Sequence, residues 1–300
     1  MSEAVIKATN LTKDYKLDRG VFDLNFEIHR GEMIGLVGTN GAGKTTTIRQ
    51  IMGFVKPTSG SVTVNGLECY ENADKISKMI GYVPGEIAFP DLRTGISFLK
   101  MQAELHGLKD LTYANELISR LALDPRANLK RMSKGMKQKT ALVAALMTDP
   151  EIIIMDEPTT GLDPLMREQF IEIIKEQHRR GKTILMSTHV YEEVEDICDR
   201  VILLDYGKII DIAELKKVAN PEVQEFKISF ANEEETKRFL ARKCEYPCKA
   251  SGSTKITIHI PRSEVPEFMR ILADYQIAYI DEVHDTLARY FGRKFKEGGQ

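Results

Sequence analysis

The segment Gly38-Thr39-Asn40-Gly41-Ala42-Gly43-Lys44-Thr45 constrains this 300-residue chain more than any other. A glycine, four residues, then Gly-Lys-Thr is the spacing of a phosphate-binding loop. Glycines let backbone N–H groups converge on an anion where side chains would clash. The Lys44 ammonium is placed to neutralise phosphate charge, and the Thr45 hydroxyl to hold Mg2+ beside it. The flanking residues supply the scaffold. Met33 to Val37 is a short apolar run that reads as a buried strand. Thr46 to Met52 reads as a helix with Ile48, Ile51 and Met52 on one face and Gly53 as its stop. A strand–loop–helix aims the helix N-terminus at phosphate, where its dipole favours negative charge. Thr46 therefore joins the loop among the candidate nucleotide-binding residues.

A second run indicates what the phosphates are used for. Ile152 to Met155 is a continuous apolar stretch, as expected of a parallel strand buried on both faces, and it ends in Asp156-Glu157. Two acids at the end of such a strand are costly without partners. Asp156 can reach Mg2+ as the second metal-holding acid of a nucleotide site does. Glu157, one residue on, is placed to polarise a water attacking a γ-phosphate. Alone, this run would read as a strand ending in a polar turn; beside the glycine loop it reads as chemistry.

The order of motifs resembles the ATP-binding subunits of ABC transporters, up to about Ile210. Tyr15 matches the aromatic on which that family stacks adenine. Met132 to Gln138 matches its signature segment, with Ser133 and Gly135 kept. Gly161-Leu162-Asp163-Pro164 matches the loop after the catalytic acid, and His189, in Ser187-Thr188-His189, matches the switch histidine. Ser133 also reads simply as a helix N-cap, and Asp163-Pro164 as an N-cap with proline at N1. The resemblance adds that the Ser133 helix faces the γ-phosphate of ATP on a second subunit, and that two chains sandwich two ATP molecules. It implies Glu157 as base, His189 as γ-phosphate sensor, and ATP with Mg2+ as the ligands. The implied partners are a second ATP-binding subunit, identical or not, and an integral-membrane permease. The implied place is cytoplasmic, peripheral on the inner face of the cell membrane.

Two positions depart from the family pattern. Gly85, in Gly81-Tyr82-Val83-Pro84-Gly85-Glu86, stands where a glutamine usually contacts Mg2+ and the attacking water. Either Glu86 takes that role or coupling is altered and hydrolysis slowed; the family includes members with Pro-Gly-Glu here. In the signature, Lys134 and Met136 replace the commoner Gly and Gln. That form resembles the subgroup paired with separate export-type permeases. Two other readings stay open: a soluble ABC ATPase of translation or repair, disfavoured by the single cassette without a heptad insert, and a regulatory ATP-binding module that does not turn over.

Composition fits the expectation of a soluble cytosolic subunit. The formal charge of −2 advertises no nucleic-acid partner. No apolar run approaches bilayer-spanning length, so membrane segments are expected on another chain. The opening Met1-Ser2-Glu3-Ala4 does not read as a signal peptide. Four cysteines suggest a reducing compartment, and the Cys244/Cys248 pair lacks the second half of a metal site.

The expected fold class is α/β: a P-loop NTPase core of ABC ATPase type with an antiparallel β part and a helical lobe, plus a small C-terminal α+β domain. The expected domains are 1–218, with the lobe at about 94–147, and 219–300. Val5-Ile6, Phe22 to Ile28 and Ser61 to Val64 read as strands, the last meeting an Asn65-Gly66 hairpin turn. Ile96, Leu99 and Ala103 mark one lobe helix; Leu117, Ile118 and Leu121 mark another. The core returns with the helix Leu165 to Arg180, the strand Thr183 to Met186 and a hairpin Val201 to Leu204 with Lys208 to Ile210. Beyond Asn220-Pro221, strands are expected at Glu225 to Phe230, Lys255 to Ile260 and Ile277 to Ile280. Helices are expected at Glu233 to Arg242 and Glu264 to Ala273, in a split βαβ arrangement. Arg289, Arg293, Lys294 and Lys296 form a basic tail, either solvated or facing acidic lipid.

Overall fold

The computed structural model describes residues 3–17, 19–242, 246–283 and 286–298, with side chains to 294. Its contacts divide the chain into two units: one runs to Glu214 and takes in the chain from Lys294, the other is Leu215–Arg293. In chain order the first unit begins β1 (Ala4–Asp14), β2 (Gly20–His29), β3 (Met33–Gly38), α1 (Lys44–Ile51), β4 (Ser59–Val64), β5 (Leu67–Glu68), α2 (Ala73–Met79) and β6 (Ile80–Val83). It continues α3 (Gly95–Leu105), α4 (Thr112–Arg120), α5 (Lys134–Leu146), β7 (Ile152–Asp156), α6 (Pro164–Arg179), β8 (Thr183–Thr188), α7 (Glu192–Glu195), β9 (Arg200–Asp205) and β10 (Lys208–Glu214).

Two sheets make the frame. The larger has the order β10-β9-β3-β8-β7-β6, parallel except for the β9–β10 hairpin. Every residue of β3, β7 and β8 is buried, which is why their sequences are continuous apolar runs and not alternating ones. The carboxyl ends of these three strands carry the glycine loop, Asp156 and Thr188, so the sheet delivers all three to one edge. The smaller sheet, β2-β1-β4-β5, is antiparallel. Asn65 and Gly66 both take positive φ, +48° and +78°, as a two-residue hairpin turn requires. One hydrophobic core joins both sheets to α1, with Ile6, Leu24, Ile34, Ile48, Ile154 and Leu185 each nearly sealed from solvent.

β1 is eleven residues long where sequence indicates only Val5-Ile6. Register shifts between Ala8 and Leu11 and between Leu11 and Lys13, with Asn10 at φ +48°, break its alternation and hide it from a period-two reading. Extra ladder length carries the chain to Tyr15, just past the strand end. α1 starts at Lys44, two residues before the expected Thr46, so Lys44 is itself the first helical residue. Helix α2 has no counterpart in the sequence reading, and β10 extends to Glu214 beyond the expected Ile210.

The second unit comprises α8 (Leu215–Ala219), β11 (Val223–Phe230), α9 (Glu233–Ala241), β12 (Cys248–Ala250), β13 (Lys255–Pro261), α10 (Val265–Leu272), β14 (Ile277–Val283) and the start of α11 (Leu287–Gly298). Its sheet order, β12-β13-β11-β14, with every pair antiparallel, is the split βαβ arrangement. Asn232 caps α9 by accepting from the Glu235 N–H at 2.9 Å, ahead of three glutamates in the first turn. The core is aromatic: Phe230 and Phe239 stack at 5.3 Å between ring centroids, beside buried Phe226 and Phe268. Strand β12 and helices α8 and α11 are additional to the sequence reading. Of the basic tail, Arg289 lies 3.7 Å from Glu225 and Arg293 sits over the Tyr290 ring, so these two are engaged within the fold; the Lys296 side chain lies outside the described residues. Cys244 also lies outside the described residues. Among the described residues no helix is long and apolar enough to cross a membrane.

Candidate active site

The glycine loop folds between β3 and α1. Gly38, Gly41 and Gly43 take φ of +159°, +85° and +107°. At Gly43 the need for glycine is also steric, because an added Cβ would lie 2.5 Å from a Val21 methyl. The loop borders a cleft of about 590 Å³ lined by Thr39 through Thr46 together with Tyr15 and Glu157. Every loop residue singled out from sequence except Gly38, which closes β3, is on that wall, and so is the proposed adenine platform. The Lys44 ammonium turns back onto the Gly38 and Thr39 carbonyls, at 2.8 and 3.1 Å. Burial pushes it below the usual lysine range, while Glu157 and then Asp156 pull it back. A partly desolvated cation held only by carbonyls and a carboxylate 3.8 Å away is poised for a stronger anion.

Behind the loop, Asp156 is 2% exposed. The Thr45 hydroxyl donates to its Oδ2 at 2.7 Å and the Ser187 hydroxyl donates to its Oδ1. Hard oxygens from a buried carboxylate and a threonine hydroxyl suit Mg2+. The same negative charge helps burial raise the Tyr82 phenol to about 12. Gly85 abuts this group: an added Cβ would lie 3.1 Å from Asp156 Oδ2. Gly85 thus brings bare backbone against the Asp156 carboxylate, whereas Glu86 is exposed and outside the cleft lining.

Glu157 adopts φ +48°, a left-handed conformation costly for a side chain of its size, and its N–H donates to both the carbonyl and the hydroxyl of Ser187 at 3.1 Å. That twist turns its carboxylate into the cleft. Its Oε1 stands 3.8 Å from Lys44 Nζ and 3.2 Å from His189 Nδ1. Lys44, Glu157 and His189, far apart in sequence, therefore converge on one oxygen. Ser133 caps α5, accepting from the Met136 N–H at 3.2 Å, and Gly135 packs on the Gly161 carbonyl. Neither lies on the cleft, so within one chain the signature helix and the glycine loop are not brought together. Asp163 caps α6 by accepting from the Met166 N–H at 3.0 Å.

The cleft also includes Arg19, Gly20, Asp205 and Tyr206, which sequence reasoning missed. The Tyr206-Gly207 turn of the β9–β10 hairpin is tied down by Gly207 N–H on the Ala42 carbonyl at 3.1 Å and by Phe22 N–H on the Gly207 carbonyl at 2.7 Å. The hairpin was legible; its contact with a loop more than 160 residues upstream was not.

A family model described as ABC transporter matches residues 21–160. The linearmycin resistance ATP-binding protein LnrL of Bacillus subtilis (strain 168) is 38% identical over 213 residues, covering 69% of this chain and 68% of that one. The bacitracin transport ATP-binding protein BcrA of Bacillus licheniformis is 35% identical over 237 residues, 76% of each chain. Among solved structures, the dimeric post-hydrolysis state of the ATP-binding cassette MJ0796 bound to ADP and Pi superposes with a TM-score of 0.63 at 25% identity, over 70% of this chain and 98% of that one.

Proposed function

Because this chain belongs to the ATP-binding subunits of the ABC transporter family, we propose that it hydrolyses ATP between two such subunits to drive an export-type permease. The convergence of Lys44 and His189 on the Glu157 carboxylate, next to an Asp156 bonded by Thr45, carries this reading. ATP lies along the glycine loop with its base on Tyr15, and its phosphates take Lys44 from the loop carbonyls. Thr45 and Asp156 would hold Mg2+, which when bound neutralises phosphate charge. Glu157 accepts a proton from the attacking water as the bond between the γ-phosphorus and the bridging oxygen of ADP breaks. His189 hydrogen-bonds the γ-phosphate. Ser133 and Gly135, remote from the cleft of their own chain, serve the ATP held by a partner copy, at the N-terminus of α5. Loss of the shared γ-phosphate then releases the two copies.

The permease contact is proposed at the groove of about 220 Å³ between the core and the α3–α5 lobe, where Phe54, Tyr82, Phe89 and Phe98 face solvent-accessible space. Such a contact would place the chain on the inner face of the membrane. Residues Leu215–Arg293 form an accessory domain. Export is favoured by the signature form and by resistance and transport relatives such as LnrL and BcrA.

Purified Glu157→Gln protein tests the core of this reading. Its turnover is expected to fall by about 10²–10⁴, the usual contribution of a general base. In ATP with Mg2+ it is expected to elute as a dimer in light-scattering chromatography. A monomer under those conditions would count against ATP-driven closure; undiminished turnover would remove Glu157 as base.

A further inference from the structure

We propose that Glu193 is a positioning residue that holds His189 and Glu157 in register with each other. This inference rests on the reading of those two side chains as the catalytic pair. Glu193 lies on the short helix α7 and its side chain is 3% exposed, which is unusual for a glutamate without a task. Its two oxygens face different parts of the site. Oε1 accepts from the Thr159 hydroxyl at 2.6 Å, from Arg167 Nε at 2.8 Å and from Arg167 Nη2. Oε2 accepts from the Thr188 hydroxyl at 2.7 Å. Thr159 is two residues past Glu157, and Thr188 immediately precedes His189. One carboxylate therefore pins the loop that carries the base with one oxygen and the loop that carries the switch histidine with the other.

The local geometry makes the grip specific. The Thr188 hydroxyl, besides donating to Glu193, accepts from the Val190 N–H at 3.0 Å. His189 is thus bracketed by two bonds to one hydroxyl, and the segment from Thr188 to Glu193 closes into a small loop with the imidazole at its tip. On the other side, Thr160 N–H returns to the Glu157 carbonyl at 3.2 Å, so the Thr159 anchor is one residue from a turn that fixes the base. Arg167 supplies the opposite charge from α6, the helix capped by Asp163. The Nδ1-to-Oε1 separation of 3.2 Å between His189 and Glu157 is then set by a strut anchored on Thr159 and Thr188. A positioning error of about 1 Å can cost about 10²-fold in rate, so the strut matters to turnover while leaving the phosphate loop alone.

The test combines kinetics with a direct view of the ring. The full chain is prepared as wild type, Glu193→Ala, Thr188→Val, His189→Ala and the Glu193→Ala/His189→Ala double variant. Thr188→Val swaps only a buried hydroxyl for a methyl, so it stands in should loss of Glu193 prevent folding. Six histidines are few enough for imidazole nitrogen spectra, with His189→Ala assigning the His189 signal. Expected are a shift of the His189 Nδ1 signal toward an unbonded imidazole in Thr188→Val and Glu193→Ala, and a kcat lowered about 10-fold or more with ATP affinity within about twofold. Adding Glu193→Ala to His189→Ala should cost clearly less than Glu193→Ala costs alone, since part of its effect passes through His189. An unmoved His189 signal, or losses that multiply in the double variant, overturns the proposal. Unchanged turnover in His189→Ala would instead sink the catalytic reading of His189, and the nitrogen signal would still decide whether Glu193 places the ring.

Discussion

Replacing Gln50 by Met should stabilise the protein, although it deletes a polar residue from the helix that follows the glycine loop. Gln50 lies on α1 with 0% exposure, and among the described residues neither Oε1 nor Nε2 finds a hydrogen-bond partner. Burying an amide unpaired costs about 1–3 kcal/mol by protein mutational measures. Methionine has a similar unbranched length, fills the same space and carries no obligatory donor. Allowing about 0.5 kcal/mol, and at most about 1, for imperfect repacking, the net gain should centre on about 1–2 kcal/mol. For a cooperative unit of this size, that corresponds to roughly 2–8 °C in Tm. Thermal and urea unfolding followed by circular dichroism, without nucleotide, measure it; omitting ATP matters because bound ligand shifts the midpoint by mass action. Gln50→Ala supplies the contrast, since it removes the orphaned amide but opens a cavity and should fall below the Met variant by about 1 kcal/mol or more. A Met variant no more stable than wild type would refute the reasoning and show that Gln50 has a partner, such as a buried water.

Three further outcomes follow from particular contacts. Gly85→Ala puts a methyl 3.1 Å from Asp156 Oδ2, a carboxylate already fixed by Thr45 and Ser187; calorimetry should show weaker binding of ATP with Mg2+ and little change for ATP in chelator, and equal affinities would contradict the metal role of Asp156. Tyr206, 86% exposed at φ +43° in a two-residue hairpin turn, occupies a position that suits Asn; Tyr206→Asn should raise stability by about 0.5–1 kcal/mol in urea unfolding, and a loss would argue that the ring packs. Arg120 pairs bidentately with Glu176 at 2.7 and 2.9 Å, joining α4 to α6, and holds that carboxyl below the usual glutamate range. The stabilisation is therefore complete above the ordinary glutamate pKa and is lost as pH falls through the depressed value. Since both groups are partly exposed, Arg120→Ala should cost no more than about 1 kcal/mol at neutral pH. The gap to wild type should close in acid, and a gap independent of pH would rule the pair out.

Much of the fold could be read along the chain because its signals are local. The apolar runs Met33 to Val37, Ile152 to Met155 and Ile184 to Met186 within β3, β7 and β8 announce a sheet buried on both faces, and Ser133, Asp163 and Asn232 each cap the helix their position implies. What escaped were elements whose local pattern is weak: β1 past its bulges, the single-turn α7, and the three-residue β12, which exists only because β13 pairs with it. The expected boundary near 218 and the contact division after Glu214 differ by a short helix, α8, that lacks a sequence signal of its own.

Sequence by itself determined the glycine loop and the acid pair Asp156-Glu157 at a strand end, because both depend on spacing within one strand and the turn that follows it. Tertiary structure alone decided how the parts meet. It set Glu157 beside His189, laid the Tyr206 turn against the glycine loop, and ran the Glu193 carboxylate between Thr159 and Thr188. Hydrogen bonds and ion pairs between residues 26 to 34 positions apart obey no repeat in the sequence. They form because parallel strand order brings the ends of β7 and β8 side by side, where buried polar groups must find one another or go unpaired.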